Sequence, residues 1–502
     1  MADLTRRHLL AGGAAIGALA ACSPVRDLDA DDRIIATNAS DDSGESGKFI
    51  DGVAMAALIR SGEMTASEAV EQAILRSERL NPQINAIATK SYDQARQSAI
   101  ARPQGPFGGV PTFIKDLETT AGVKTMYGSR GFSEFVSPAD GEVATFWKAG
   151  GTVSLGKSTT PEMGLTASTE PLVTGITRNP WNLNRIPGGS SGGAAALTAA
   201  RVVPFAHASD GGGSIRIPAS CCGLFGLKPS RGRVGQIARA GRPIDISVHH
   251  TVTWTVRDSA ALFAMAETGV YDRLGVISGP SSDRLRIGFA PEPMNGSALH
   301  PDVLAVAEET AVLCESLGHE IVEADLSFDL ARFTDAFTLL WAAAAAEFAQ
   351  AASRMSGQPI GPDIVEPLTL WLAAYFQARA DQMPEAIGYL QAFEDQYTSF
   401  FDGFDVLLQP TLTTPPVEVG VFNPAGDAEA VFAAVSDFVG YTPPMNVAGA
   451  PSMSVPLGMS SDGLPIGMMF SGAPGQDARL IHLAYELEAA APWINRVPPV
   501  SA

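Results

Sequence analysis

Two glycine- and serine-rich stretches decide the fold: residues 187–193, which read PGGSSGG, and residues 210–216, which read DGGGSIR. A run of small residues at 194–200 follows the first stretch and is predicted to be helical. Glycines around a serine let the backbone approach a ligand closely, and their successive N–H groups can point at one spot. Upstream, residues 109–116 read GVPTFIKD, and Lys115 ends an apolar run. This pattern predicts a strand that delivers an amine to an interior site.

Each stretch taken alone has another interpretation. A lysine at the end of a strand usually extends to the surface, and a glycine–serine loop is more often a linker or a phosphate cradle. However, no Walker lysine follows residues 192–193, and no Gly-x-Gly-x-x-Gly follows a strand. Residues 189–193 do satisfy Gly-x-Ser-x-Gly, the nucleophile elbow of α/β-hydrolases, but that mechanism needs an acid and then a histidine downstream. His482 is the only late histidine, and its neighbours do not suggest a triad.

The composition of the 502-residue chain excludes several classes of protein. Hydrophobic residues make up 46% and charged residues 18%, below the roughly 25% of an average soluble domain, so the chain can bury a large core. A net charge of -20 argues against binding nucleic acid or adsorbing flat on anionic lipid, since both need positive charge. Four cysteines cannot form a disulfide scaffold. The seven histidines show no metal-ligand spacing, so we predict no metal and no cofactor.

The first 22 residues have the pattern of an export signal. Residues 5–10 carry twin arginines, residues 11–21 are small, apolar and uncharged, and residues 19–22 (LAAC) resemble a bacterial lipobox. The resemblance implies a signal peptide at 1–21, export by the twin-arginine route, and lipidation of Cys22 on the periplasmic side, where Ser23 favours the outer membrane. Residues 22–48 then form a flexible acidic tether. The alternative is a disordered basic N-terminus that is rich in alanine by chance.

Helical and strand patterns alternate along the rest of the chain. Helical patterns cover residues 51–80, with a capping box at 65–68, and residues 301–317. Long helical stretches fill residues 328–405, with an interruption near 357–367. Buried strands are predicted at 151–157, 319–324, 452–459 and 465–471. This alternation, without an internal repeat or a second linker, predicts a single α/β domain at residues 49–502.

The three polar segments together resemble the amidase signature family, whose core is a lysine, a Gly-Gly-Ser-Ser-Gly-Gly loop and a Gly-Gly-Ser-Ile-Arg loop. Here Lys115, Ser190 and Ser214 are separated by 75 and 24 residues, which is typical of the family. The likeness runs from about residue 50 to the C-terminus and is densest over 105–233 and 441–470. It implies a single α/β/α layered domain around a large mixed β-sheet.

The resemblance also implies a role for each of these residues. Ser214 resembles the nucleophile, Ser190 resembles a proton bridge held by a cis peptide after Gly189, and Lys115 resembles the base. A serine hydroxyl needs an adjacent base, and a lysine serves as one only when burial lowers its pKa enough to keep it neutral. The backbone N–H groups that would bind the oxyanion belong to Gly211, Gly212, Gly213 and Ser214.

One position departs from the pattern of many relatives, which carry isoleucine where this chain has Gly211. A backbone N–H does not depend on the side chain, so the chemistry should survive, with a floppier loop or more room for substrate. Asp210 and Arg216 form either an ion pair that braces this loop or two solvated charges. The histidines at 249–250 are expected to be packing residues, and the cysteines at 221–222 to be small buried hydrophobes.

Within the family, the chain looks most like the 6-aminohexanoate cyclic dimer hydrolase branch, on segments such as 105–107, 160–164 and 179–183. This likeness implies hydrolysis of a carbon–nitrogen bond in a small linear or cyclic amide through an acyl-enzyme, with esters cleaved as well. Residues 117–180 and 328–405 are expected to shape the substrate pocket. The alternative from another class is a solute-binding or catalytically inactive amidase-fold lipoprotein. The oligomeric state is left open.

Overall fold

The computed structural model describes residues 50–235, 244–324 and 326–502. The predicted signal peptide at 1–21, the lipidated Cys22 and the acidic tether at 22–48 lie outside these residues and stay predictions. The predicted start of the folded domain at residue 49 stays a prediction for the same reason. Among the described helices, none combines the length and the apolar character that crossing a bilayer requires.

The strands of the described residues form two sheets. In chain order they are β1 (Ile87–Lys90), β2 (Pro111–Lys115), β3 (Val153–Ser158), β4 (Phe205–Asp210), β5 (Phe225–Lys228), β6 (Val248–Thr253), β7 (Arg286–Phe289), β8 (Glu320–Glu323), β9 (Val406–Pro410), β10 (Ser452–Met459) and β11 (Pro465–Ser471). The larger sheet has the order β4-β6-β5-β10-β11-β9-β7-β8, and the smaller has the order β1-β3-β2. The larger sheet is antiparallel from β4 to β9 and parallel from β9 through β7 to β8. The predicted large mixed sheet is therefore confirmed.

Helices alternate with these strands along the chain. They are α1 (Gly52–Ser61), α2 (Ala66–Ile84), α3 (Tyr92–Ile100), α4 (Glu142–Ala149), α5 (Gly192–Ala199), α6 (Arg216–Cys222), α7 (Val256–Ala266), α8 (Pro301–Ser316), α9 (Leu330–Ser356), α10 (Pro367–Arg379), α11 (Met383–Ser399), α12 (Ala428–Val439), α13 (Pro443–Val447) and α14 (Asp477–Ala490). Strands β10 and β11 have the bounds that the sequence predicts, because their apolar runs end at turn residues.

The two faces of the larger sheet pack against different helices. Successive side chains of a strand point to opposite faces, and β9 shows this directly. Val406 and Leu408 share a core with α7, α8 and α14. Leu407, between them, belongs to a second core with α9 and α11. Helices therefore cover both faces of the sheet, which is the predicted α/β/α arrangement.

The helical pattern at residues 51–80 forms two helices. Gly62 ends α1 in a left-handed conformation with φ of 82°, which a glycine adopts at no steric cost. The predicted capping box then starts α2: the Glu68 N–H donates to Thr65 Oγ1 at 3.1 Å, and the Thr65 N–H donates to Glu68 Oε2 at 2.7 Å. The capping box therefore marks the start of the second helix correctly, although the apolar pattern predicts one helical stretch over 51–80. Leu75, which the apolar pattern places on the buried face, is exposed.

Candidate active site

Strand β2 carries Lys115 into the protein interior. All five residues of β2 are buried, and the strand pairs in parallel with β3. Two hydrogen bonds hold it beside β4: the Thr112 hydroxyl donates to the Phe205 carbonyl at 3.0 Å, and the Lys115 N–H donates to Nδ1 of His207 at 3.3 Å. The Lys115 side chain is fully buried, so the alternative of a surface lysine does not hold.

The amine of Lys115 lies within hydrogen-bond distance of three oxygens of two serines. It lies 2.7 Å from Ser190 Oγ, 3.1 Å from Ser209 Oγ and 3.4 Å from the Ser209 carbonyl. Burial disfavours the charged ammonium and lowers the pKa of Lys115 to about 7, although the carboxylates of Asp210 and Glu118 oppose this shift. At neutral pH a large fraction of the amine is therefore uncharged and can accept a proton from the hydroxyl of Ser190, its nearest partner.

Glycines bring other chain segments close to Ser190. The peptide bond between Gly189 and Ser190 is cis, as the family resemblance implies. A Cβ at Gly189 would lie 2.7 Å from the backbone of Ala167 and Ser168, and a Cβ at Gly164 would lie 3.1 Å from Ser190 Oγ. The absence of side chains at these two glycines therefore allows the close packing that fixes Ser190 beside Lys115.

Ser214 lies in the turn between β4 and α6, and it borders the same cavity as Ser190 and Ser209. Asp210, the last residue of β4, holds this turn through its carboxylate. The carboxylate accepts the N–H of Gly213 at 2.7 Å and the N–H of Ile215 at 3.1 Å. The structure therefore places Lys115 in contact with Ser190, and it places Ser190 and Ser214 on the wall of one cavity.

A buried ion pair braces the turn. Arg216 donates from Nε and Nη2 to the two carboxylate oxygens of Asp210, each at 3.0 Å, and both side chains are fully buried. Asn446 donates to Asp210 Oδ1 at 2.8 Å and accepts from Arg216 at 2.6 Å. Burial opposes ionisation of Asp210, but the Arg216 guanidinium outweighs it and holds the pKa of the carboxyl well below its usual range. The alternative of two solvated charges is therefore wrong.

One N–H group of the predicted oxyanion set is engaged within the loop itself. The N–H of Gly213 already donates to Asp210, so Gly213 cannot serve as a free oxyanion donor in this arrangement, which corrects the predicted set. Gly213 has a φ of 131°, and a Cβ there would lie 2.3 Å from Thr442 Oγ1, so the position needs glycine for its backbone. The predicted donors Gly211, Gly212 and Ser214 border the cavities.

Asn446 is a residue of the site that sequence reasoning missed. Besides its bonds to the ion pair, its amide donates to the Asp210 carbonyl and to the Ile246 carbonyl, each at 3.0 Å. It lies in α13, inside the 441–470 segment where the family likeness is dense. That likeness marked the segment, but a single asparagine has no spacing or neighbour that would single it out.

Two stacked histidines lie behind Lys115. His207 Nε2 and His249 Nδ1 are 3.3 Å apart, and His249 Nδ1 is 3.7 Å from Glu118 Oε1. Burial, together with the charges of His249 and Lys115, lowers the pKa of His207 well below its usual value, so its ring is neutral. Both histidines at 249–250 are buried, as expected of packing residues, but His249 also borders the cavity.

The remaining candidates from the sequence do not join this site. Cys221 and Cys222 are buried in the hydrophobic cores beside α6, and burial raises the pKa of both thiols. A buried thiol with a raised pKa is a poor nucleophile, so the packing interpretation agrees with the structure. Within residues 50–235, 244–324 and 326–502, no group of His, Cys, Asp and Glu side chains is placed to hold a metal ion.

Comparison of the sequence with known proteins gives matches over most of its length. The Amidase family model matches residues 68–481. The protein named "Putative amidase AmiC" from Mycobacterium tuberculosis is 40% identical over 451 residues, which cover 88% of this chain and 95% of that protein. The 6-aminohexanoate-cyclic-dimer hydrolase of Paenarthrobacter ureafaciens is 35% identical over 483 residues, which cover 89% of this chain and 96% of that protein.

Comparison with solved structures also gives matches to an amide hydrolase over most of the chain. The structure of 6-aminohexanoate cyclic dimer hydrolase matches with a TM-score of 0.82 at 31% identity. The match covers 91% of this chain and 100% of that one. The same enzyme complexed with substrate matches with a TM-score of 0.81 at 32% identity, over 90% of this chain and 99% of that one. The predicted fold and family likeness are confirmed: the chain belongs to the amidase signature family and is a hydrolase of carbon–nitrogen bonds other than peptide bonds.

Proposed function

We propose that the protein hydrolyses a small linear or cyclic amide through an acyl-enzyme, with Ser214 as nucleophile, Ser190 as proton bridge and Lys115 as base. The observation that carries this proposal is the 2.7 Å contact between the Lys115 amine and Ser190 Oγ, buried behind a cavity that Ser214 also borders. A lysine in water is charged at neutral pH and cannot accept a proton. Burial lowers the pKa of Lys115 to about 7, which makes it a base at physiological pH.

The reaction begins with attack of Ser214 Oγ on the amide carbonyl carbon. The Ser214 proton moves to Ser190 as the Ser190 proton moves to Lys115, so the lysine becomes charged and the carbonyl oxygen becomes an oxyanion. The N–H groups of Gly211, Gly212 and Ser214 are the donors for this oxyanion. An oxyanion donor contributes about 3 kcal/mol of transition-state stabilisation. The turn that presents these groups is held by the Asp210–Arg216 ion pair before substrate arrives.

Collapse of the tetrahedral intermediate breaks the carbon–nitrogen bond. The leaving nitrogen takes a proton from Ser190, and Ser190 recovers one from Lys115, so the amine leaves neutral and the lysine returns to its base form. A water molecule then attacks the acyl-enzyme along the same proton path. The products are a carboxylic acid and an amine, and the protein regains all its protons. The same acyl-enzyme would form from an ester, with an alcohol as leaving group.

The names of two relatives support the proposed substrate class. Both carry the name 6-aminohexanoate-cyclic-dimer hydrolase, and the solved structure of such an enzyme covers 91% of this chain. This similarity supports a small cyclic or linear amide as substrate.

We further propose that the enzyme acts on the periplasmic side, anchored by lipid on Cys22, on the strength of the twin-arginine and lipobox patterns. A Cys22→Ala variant should then lose its acyl group and its membrane fraction; retention of both would refute the anchor.

The experiment that tests the catalytic proposal compares the wild type with Ser214→Ala and Ser247→Ala. The two serines border the same cavity, but Ser247 has no place in the proposed proton path. Each protein is incubated with a panel of linear, cyclic and aryl amides, and the acid and amine products are measured. We expect hydrolysis by the wild type and Ser247→Ala and none by Ser214→Ala. Equal hydrolysis by Ser214→Ala would refute the mechanism, and no hydrolysis by any of the three would favour a binding protein.

A further inference from the structure

Ser214 lies at the junction of two cavities of different character. One has a volume of about 870 Å³ and the other of about 150 Å³. Four residues border both cavities and therefore lie between them: Gly164, Leu165, Ser214 and Trp341. A carbonyl carbon bonded to Ser214 must therefore place its two substituents in the directions that these cavities leave open.

The smaller cavity is lined mainly by apolar side chains. Its walls come from α6, α9 and α12 and include Ile217, Phe333, Phe337, Phe432, Val435 and Val439. On α9 the aromatic rings stack in a column, with ring centroids 6.1 Å apart for Phe333 and Phe337 and 5.7 Å apart for Phe337 and Trp341. A cavity of about this volume can hold a ring as large as benzene. This cavity therefore suits a short alkyl chain or a single aromatic ring.

The larger cavity is lined in part by polar and charged side chains. Those that border it include Glu118, Thr119, Glu142, Ser209, Ser247 and His249. Glu347 and Arg354 of α9 add charges of both signs. Ser190 borders the larger cavity and is not among the residues that border the smaller one. The proton bridge is therefore reached from the larger cavity.

We infer that the smaller cavity binds the acyl part of the substrate and the larger cavity its amine part, so that the enzyme takes amides of compact apolar acids with polar amines. This inference rests on the proposed function, because it uses Ser190 as the group that protonates the leaving nitrogen. That nitrogen must lie within hydrogen-bond reach of Ser190. It must therefore face the larger cavity, and the acyl substituent, on the other side of the carbonyl carbon, turns into the smaller one.

Gly212 of the nucleophile loop helps to keep the acyl cavity open. Gly211 and Gly212 have no φ in the left-handed region, so a side chain would meet no backbone strain there. A Cβ at Gly212 would lie 3.4 Å from Phe337 Cζ, and a Cβ at Gly211 would lie 3.6 Å from Trp341 Cζ3. Gly212 thus points at the aromatic column, and its lack of a side chain leaves space beside the column to the substrate. Gly211 borders the larger cavity, where a Cβ would meet Ser247 Oγ first, at 3.5 Å.

Two variants that fill one cavity each test the assignment. Val435 borders only the smaller cavity and Ala344 only the larger, and both lie on helices with partly exposed side chains. Val435→Trp and Ala344→Trp are assayed with two series of amides. The first series keeps an aniline leaving group and lengthens the acyl group from acetyl to hexanoyl. The second keeps the acetyl group and enlarges the amine.

Val435→Trp should lower kcat/KM for the hexanoyl amide relative to the acetyl amide by about tenfold or more, the usual selectivity of a filled apolar pocket. The ratios of kcat/KM along the amine series should not change. Ala344→Trp should lower kcat/KM for amides of the larger amines relative to those of the smaller amines. It should leave the ratios of kcat/KM along the acyl series unchanged. The opposite pattern would overturn the assignment. If either variant fails to fold, inhibition of the wild type tests the assignment of the acyl part to the smaller cavity. Carboxylates should inhibit more strongly as they lengthen from acetate to hexanoate. Equal inhibition along that series would overturn the assignment. Undiminished activity of Ser214→Ala would instead overturn the proposed function.

Discussion

The residues on either side of Ser214 are held in different ways. We call Lys115, Asp210, Arg216 and Asn446 the polar floor: they are buried, and directional hydrogen bonds of 2.6 to 3.0 Å fix them to one another or to Ser190. The aromatic column of Phe333, Phe337 and Trp341 on α9 is held by ring packing. Directional bonds fix atoms to a few tenths of an ångström, whereas packing tolerates exchange of similar volumes. Changes in the polar floor should therefore affect all substrates, and changes in the column should affect selectivity.

The largest effect is expected at Lys115. Lys115→Met should lower kcat by about 10⁴-fold for every amide and retain the fold, because an apolar side chain of similar length replaces a buried amine. Lys228 is a matched control: it is also fully buried, its pKa is also lowered to about 7 by burial, and it donates to the Pro229 carbonyl rather than to Ser190. Lys228→Met should keep most of the activity. Kinetics with both variants check this, and equal losses would mean that burial alone explains the Lys115 effect.

The next effect concerns the stability of the polar floor. Arg216→Met leaves the Asp210 carboxylate buried without its partner, which costs about 3–5 kcal/mol of unfolding free energy. The exposed pair of Arg286 and Glu320, with N and O 3.1 Å apart, is the comparison, and Arg286→Met should change stability little. Denaturant unfolding of both variants measures the difference. Similar stabilities for the two variants would show that the buried pair does not brace the turn.

Two neighbouring glycines give a smaller and sharper contrast. Gly213→Ala forces a Cβ to within 2.3 Å of Thr442 Oγ1 at a φ of 131°, so the turn must shift. A misplacement of this kind costs about 10²-fold in activity. Gly211→Ala meets only ordinary contacts, the nearest at 3.5 Å from Ser247 Oγ, and should stay within about tenfold of the wild type. Measurement of kcat/KM for the two variants tests this contrast. Equal losses of kcat/KM at both positions would contradict the geometry assigned to the turn.

Sequence reasoning reached the parts of this site that local patterns encode. Lys115 ends an apolar run, and the serines stand among glycines, so their segments stand out from neighbouring residues. It was the family resemblance that joined the three residues into one site and gave each a role. Asn446 could not, because it lies 230 residues after Arg216 in the chain and only the fold brings the two together. The engagement of the Gly213 N–H by Asp210 depends on the turn geometry. The aromatic column has the spacing of any buried helix face, so its place beside Ser214 had no signal of its own.

The central claim is that neutral Lys115 activates Ser214 through Ser190, and the rate of Ser214 modification by a fluorophosphonate probe tests it most directly. The rate is measured from about pH 5 to about pH 9, on either side of the lysine pKa, in wild type, Lys115→Met and Lys228→Met. Because Lys115 loses its proton as the pH rises through about 7, the rate should increase through that range in wild type and Lys228→Met and stay low and flat in Lys115→Met. A wild-type rate independent of pH, or modification of another residue, would contradict the account.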